Sequence, residues 1–502
     1  MNSIIENLNA YDIAKISVSK TINMLSKVSL VMQKMLRFSG KEGVVKFILE
    51  KDIKILNLCQ IPEDGRLKSL SFSTGDERRV SEILDSGERI DGSSLFSFID
   101  SWKSDIYIVP KLDTGFLNPF SKKPTLNLLC DYLDTNGMSL DVAPQNVLMK
   151  AEEKLFSSNG IVLKALAELE FYVVAKQETE ILFPEESDKN YHESAPFAKF
   201  EDLRNEILST MESVGIATKY GHSEVGCMLT KDNTLFEQHE VELLPQRLAE
   251  MANTITIAKW VIRNVCAKHG VTVSFSPKIA LGHAGTGMHI HLCALRNGKN
   301  VLATPDETLS PEAMKMIGGI LRFAPSLSAL GNSTPVSYLR FIDRKESPMH
   351  ICWSAGNRLA LIRIPLWWNF RKKNEVKSLE ATFEYRAPDA FSNAHLLFAG
   401  MALAVNYGLR NPEEALKIAE KTLIDVSDKR KRLRVLPLSC SESAKELNKD
   451  RKFYEAEGVF PKKIIDKTLE KLRSYKDKNL RQSLANKPEE VEEMLKHYLH
   501  YG

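Results

Sequence analysis

The spacing of hydrophobic positions changes several times along this 502-residue chain. Residues 1–38 repeat apolar side chains at helical intervals (Ile13, Ile16, Ile22, Leu25, Val28, Val31, Met35) among Lys and Ser and stop at Gly40, which predicts an amphipathic helical extension. From 39 to 128 short strand-like runs dominate, at Val44–Leu49, Ile53–Cys59, Ile106–Val109 and Leu126–Leu129, and describe a small, mostly β unit. Residues 129–502 form a larger unit. Its pattern predicts a helix over Asn146–Ser158 closed by Gly160, a strand through Lys164–Val174, and a long polar loop over Gln177–Lys199. A long helix over Pro245–Lys268, a strand at Val271–Phe275, a helix over Pro311–Leu330 and a helical, charged C-terminal region from Ala394 complete it.

Within the larger unit three stretches alternate with period two. A strand sends residues i and i+2 to one face. Glu168 and Glu170 therefore share a face, as do His289 and His291 in Gly287–Leu292, and Glu384 and Arg386 in Thr382–Ala387. The intervening positions are apolar (Met288, Ile290, Leu292; Phe383, Tyr385). If the three strands share one sheet, its polar side carries Glu, Glu, His, His, Glu and Arg, a metal and anion site rather than a core, since crowded carboxylates need a cation between them. Arg363, between Ile362 and Ile364, requires an anionic partner for the same reason.

Composition narrows the class only slightly. Hydrophobic residues make up 43% and charged residues 26%, as in an ordinary soluble enzyme. Lys and Arg number 68 against 65 Asp and Glu, a formal charge of +3, which gives no general argument for nucleic acid or membrane, so no partner of either kind is expected. Seven scattered cysteines with no CxxC pair favour buried thiols in a reducing compartment. No basic and apolar leader precedes residue 40, and the longest apolar run, Leu396–Val405, is about half a membrane span, so a cytoplasmic location is expected.

Taken in order, the motifs resemble glutamine synthetase of the bacterial and archaeal type over roughly residues 40 to 485. They are Ile90-Asp91-Gly92-Ser93-Ser94, Glu168-Leu169-Glu170-Phe171, His222-Ser223-Glu224-Val225, Glu237-Gln238-His239-Glu240, Gly285-Thr286-Gly287-Met288-His289-Ile290-His291, Asn357-Arg358, Ile362-Arg363-Ile364-Pro365, Phe383-Glu384-Tyr385-Arg386-Ala387-Pro388-Asp389, and Asp450-Arg451-Lys452-Phe453 with Gly458-Val459-Phe460. Any one alone is weak; the Asp-Gly-Ser-Ser piece by itself is a turn. Their shared order is what makes the resemblance specific.

The resemblance implies an α+β fold, with a β-grasp-like domain at 39–128 and a catalytic domain at 129–502 whose bent antiparallel sheet is surrounded by helices. It implies an ATP-dependent ligase that joins glutamate and ammonia through γ-glutamyl phosphate at a site with two or more Mg²⁺ or Mn²⁺ ions. Glu170, Glu224 and Glu240 would hold the ion nearer the substrate, and Glu168, His289 and Glu384 the ion at the nucleotide phosphates. Arg358, Arg363 and Arg386 would neutralise the transferring phosphoryl group, with His291 and Arg363 on the ATP side, while Arg340 and Gly285 would contact glutamate. Asp91 and Ser94 of a neighbouring subunit, with Glu224 and Tyr191, would hold ammonium and take its proton, and Glu346 would shield the intermediate. Such a shared site implies a homo-oligomer, expected as a dodecamer of two hexameric rings.

The chain departs from the family pattern at the rims. Ala284 stands where an asparagine is expected and His283 where an acid is, Thr382 replaces an arginine, and Glu240 follows Glu224 by sixteen positions, about eight more than the bacterial spacing. Leu366–Leu379 is an extra basic and aromatic stretch that includes Trp367, Trp368 and Arg371, and Lys421–Leu436 holds no tyrosine for adenylylation. Two alternatives therefore stand beside glutamine formation: a ligase joining an amine to the γ-carboxyl of glutamate, and a non-catalytic scaffold. All six ligand positions being filled argues against the scaffold.

Overall fold

Two β-sheets divide the chain. The structure, a computed structural model, describes residues 35–177, 182–184, 186–304, 308–343, 345, 347–365, 381–424 and 433–501. Most of the 1–38 extension, Glu346, the 366–379 stretch and residues 425–432 of the tyrosine-free segment lie outside the described residues.

The first sheet contains β1 (Ile55–Gln60), β2 (Lys68–Ser73), β3 (Glu88–Asp91), β4 (Asp105–Pro110), β5 (Phe116–Leu117) and β6 (Thr125–Leu133). Its order is β2-β1-β6-β4-β3 with β5 on β6, and β1 pairs parallel with β6. One expectation fails here: Val44–Leu49 belongs to a helix, Lys41–Glu50. Its β-branched residues suggested a strand. The decisive pattern is instead Val44 and Ile48 buried four positions apart, with Lys46 and Glu50 paired at 3.7 Å on the opposite face.

The second sheet contains β7 (Ile161–Lys176), β8 (Thr218–Leu229), β9 (Thr234–Leu243), β10 (Gln246–Arg247), β11 (Thr272–Ser274), β12 (Met288–Arg296), β13 (Lys299–Asn300), β14 (Trp353–Ala355), β15 (Ile362–Ile364) and β16 (Phe383–Tyr385). The strands run β14-β15-β16-β12-β7-β9-β8, antiparallel except for β14 with β15. Helices cover one side. Pro144–Asn159, closed by left-handed Gly160, and Leu248–Lys268 pack on β7 and against Ala394–Arg410. Ala165, Ala167, Leu169, Phe171 and Val173 of β7 point into that core, so the even-numbered residues Glu168 and Glu170 face the other way.

This is the α+β architecture the motifs imply, and the three alternating strands do lie in one sheet. All seven cysteines are buried and none forms a disulfide. No described helix is long and apolar enough to cross a membrane.

Candidate active site

Strand register assembles the site. β12 pairs with β7 so that His289 opposes Glu168, β12 with β16 so that His291 opposes Glu384, and β15 with β16 so that Arg363 opposes Glu384. On the other flank Glu170 opposes Glu240 across β7 and β9, and His222 opposes Glu240 across β8 and β9. These side chains line or underlie a cleft of about 490 Å³.

At one end Glu168, His289 and Glu384 present ligand atoms within 4.8 Å of one another. His289 Nδ1 lies 2.9 Å from Glu168 Oε2 and 3.4 Å from Glu384 Oε1. Glu384 is fully buried and accepts from Arg363 at 2.7 Å and from Arg386. Burial and the nearby Glu168 charge favour its neutral form, yet Arg386 and the two histidines outweigh them and hold it below the ordinary carboxylate range. Glu168 is only half-buried; desolvation favours its neutral form, but His291 and His289 pull it well below that range.

The other end gathers Glu224, Glu240 and His222 within the same 4.8 Å. His222 Nε2 is 3.2 Å from Glu240, and Nδ1 is 3.6 Å from Glu224. Glu240 is pushed well above the usual carboxylate range by burial and then by Glu168, Glu170, Glu224 and Glu242. Burial lowers the affinity of His222 for a proton. Glu170, expected in this group, accepts at Oε2 from Gly287 N at 2.7 Å and from Gln238 Nε2 at 3.1 Å, with Oε1 3.7 Å from His289. Both groups are oxygen-rich with one imidazole each, a donor set that could hold a divalent cation of the Mg²⁺ or Mn²⁺ kind, and the crowding around Glu240 is relieved only by added positive charge.

The long interval between Glu224 and Glu240 is an extended hairpin. β8 and β9 pair out to Leu229 and Leu235, and the register slips between Ser223 and Cys227. This bulge lets the backbone pass close beneath the site. Gly226 N donates to Gln238 Oε1 at 2.9 Å, and a Cβ at Gly226 would stand 1.9 Å from the Tyr172 hydroxyl, so no larger residue fits. Tyr172 in turn donates to Ala284 O at 3.0 Å and fixes the turn before Gly285.

The remaining expected residues divide into three sets. Tyr191, Gly285, Arg340, Arg358, Arg363 and Arg386 line the cleft, with Arg358 5.8 Å over the Tyr191 ring. Arg340 spends its terminal nitrogens on the Ala387 carbonyl at 2.9 Å, on the Arg386 and Pro388 carbonyls, and on His289 Nε2 at 3.3 Å. His291 does not line the cleft: it sits behind Glu168. Asp91 and Ser94 lie in the first domain, outside the cleft of their own chain. There the exposed Asp91 accepts from Ser93 N at 2.9 Å and Ser94 Oγ at 2.6 Å, hydroxyl bonds that hold it well below its ordinary value. His222 and Gln238 carried no expected role, although each stands two positions before a carboxylate of the site, on the same strand face.

Comparison with known proteins agrees with this architecture. Residues 52–135 match the family profile "Glutamine synthetase, beta-Grasp domain" and residues 141–492 match "Glutamine synthetase, catalytic domain". A glutamine synthetase of Thermotoga maritima is 31% identical over 425 residues, 83% of this chain and 92% of its own. A 3-hydroxylaminophenol mutase of Cupriavidus pinatubonensis is 28% identical over 459 residues, 85% of this chain and 93% of its own. Among solved structures, glutamine synthetase of Plasmodium falciparum superposes with a TM-score of 0.75 at 22% identity, covering 89% of this chain and 97% of that one. Two profiles that follow one another along the chain, one over each of the two sheets, place this protein in the glutamine synthetase family.

Proposed function

We propose that the protein is an ATP-dependent ligase that makes glutamine from glutamate and ammonia. The observation that carries this reading is the register pairing that sets Glu168, His289 and Glu384 beside His222, Glu224 and Glu240 on one sheet face, flanked by Arg340, Arg358, Arg363 and Arg386. Glu170, on the same strand, completes the expected ligand set once its hydrogen bonds rearrange. Two Mg²⁺ or Mn²⁺ ions held there would screen the repulsion between the substrate carboxylate and ATP.

The chain's own groups do the rest. Arg340 and the Gly285 turn orient glutamate so that a γ-carboxylate oxygen attacks the γ-phosphorus, and ADP leaves as the oxygen–phosphorus bond forms. Arg358, Arg363 and Arg386 meet the charge that spreads over the transferring phosphoryl oxygens. Ammonium held by Glu224 and Tyr191, with Asp91 and Ser94 of an adjacent subunit, gives a proton to a carboxylate. The freed ammonia attacks the γ-carbon of the acyl phosphate, and inorganic phosphate leaves. Glu346 shields that intermediate from water. The arrangement requires a homo-oligomer, and the dodecamer of two hexameric rings remains our reading of the assembly, with a cytoplasmic location.

A second reading, ligation of an amine to the γ-carboxyl, is favoured by one observation. Ala284 lines the cleft where an asparagine was expected, and a relative with another named activity shows that this family's scaffold hosts more than one reaction. Phosphate release from ATP with glutamate and Mg²⁺ separates the two. Turnover with ammonium, abolished in Glu346→Ala, supports glutamine formation; turnover confined to primary amines or diamines replaces it with the amine ligase. Failure to release phosphate with every acceptor sinks both.

A further inference from the structure

His291 shares the polar sheet face with His289 and is buried to the same 6% exposure. Its Nε2 lies 2.9 Å from Glu168 Oε1, and its Nδ1 lies 3.2 Å from the hydroxyl of Thr382, also buried. A carboxylate oxygen only accepts, so the proton of the first contact sits on Nε2.

The two oxygens of Glu168 are thereby given different tasks. Oε1 is tied to His291, while Oε2 points at His289 Nδ1, which also faces Glu384. A ligand carboxylate with one oxygen pinned offers the other in a fixed direction, and outer partners of this kind typically change metal affinity by about 10–100-fold. We infer that Thr382, His291 and Glu168 form a positioning chain, in which Thr382 sets the His291 ring and His291 aims Glu168 at the cation of the Glu168–His289–Glu384 centre. The inference rests on the two-metal reading proposed above.

The test is Mn²⁺ binding to the full chain by calorimetry without substrates, together with KM for ATP. A glutamine amide nitrogen reaches the place of imidazole Nε2, whereas an asparagine amide reaches only that of Nδ1. His291→Gln and Thr382→Ser should therefore keep Mn²⁺ affinity within about threefold of the parent, and His291→Asn and Thr382→Val should weaken it about tenfold or more, with melting temperatures confirming that all four fold. Equal losses in Gln and Asn, or unchanged Mn²⁺ affinity with a raised KM for ATP, would overturn the positioning chain alone. A parent chain that binds no divalent cation overturns the ligase reading and this inference together.

Discussion

At one end of the cleft Glu384 shares its oxygens between Arg363 and Arg386, and Glu168 rests between two imidazoles. At the other end Glu240 meets His222 at 3.2 Å while Glu168, Glu170, Glu224 and Glu242 crowd around it. The first group carries built-in cations that favour ionised carboxylates; the second gathers more carboxylates than its one imidazole offsets, which raises the hold of Glu240 on a proton. Two donor sets of similar composition on one sheet face thus differ in their dependence on metal. The first is neutralised by side chains of the protein itself, and the second offers a cation the greater electrostatic gain.

The sharpest break of this contrast comes from carboxylate-to-amide changes. Glu384→Gln and Glu240→Gln should each lower phosphate release by more than about 100-fold, beyond the usual cost of losing an outer partner. Their effects on the metal-free fold should part. Glu384→Gln leaves buried Arg386 and half-buried Arg363 without their anion and should cost about 3 kcal/mol in denaturant unfolding, whereas Glu240→Gln removes crowding and should leave stability unchanged or raised. Equal destabilisation by both would erase the contrast.

The pH dependence has opposite signs at the two ends. Glu168 and Glu384 are depressed, so the stability they supply is present above the unfolded carboxylate value of 4.5 and is lost as pH falls through their lower values. Glu240 is elevated, so its contribution is greatest below 4.5 and is lost as pH rises toward its higher value. Metal-free protein should therefore melt progressively lower from pH 5 upward. Mn²⁺ should restore the loss, with a gain that grows with pH and approaches about 2.7 kcal/mol at a hundredfold excess over Kd. A gain independent of pH would show that Glu240 is not the group relieved.

The smallest expected effect addresses the bulge. Gly226→Ala places a methyl against the Tyr172 hydroxyl and Gln238 and should cost about 1–3 kcal/mol. It should weaken metal binding at the Glu224–Glu240 end and leave the Glu168–Glu384 end intact, which two-site calorimetry can resolve.

Much of this was readable in the chain because a period of two is a strict rule. Glu168 with Glu170, His289 with His291 and Glu384 with Arg386 announced a polar sheet face, and isolated Arg363 announced a carboxylate partner, found in Glu384 at 2.7 Å. What escaped depended on pairing between strands. His222 enters the second group because β8 sets it opposite Glu240, and Gln238 reaches Glu170 because β9 pairs with β7 in a register no local pattern reveals. His291 has the period that sets it on the polar face with His289, but alternation within one strand could not show that its Nε2 meets Glu168 across the ladder. Val44–Leu49 misled because β-branched residues were weighed above the interval between the two buried ones.

The strand β7 also acts as a ruler. Glu168 and Glu170 are two residues apart on one continuous strand, which spaces their backbones by about 6.6 Å, and His289 and Glu240 are registered to them from the neighbouring strands on either side. The separation between the two centres is therefore written in covalent geometry. Substitutions at the rim, such as Ala284 or the longer β8–β9 hairpin, can redirect which molecules enter without altering that interval. A lineage built on such a ruler can vary its rim while keeping the spacing of its carboxylates.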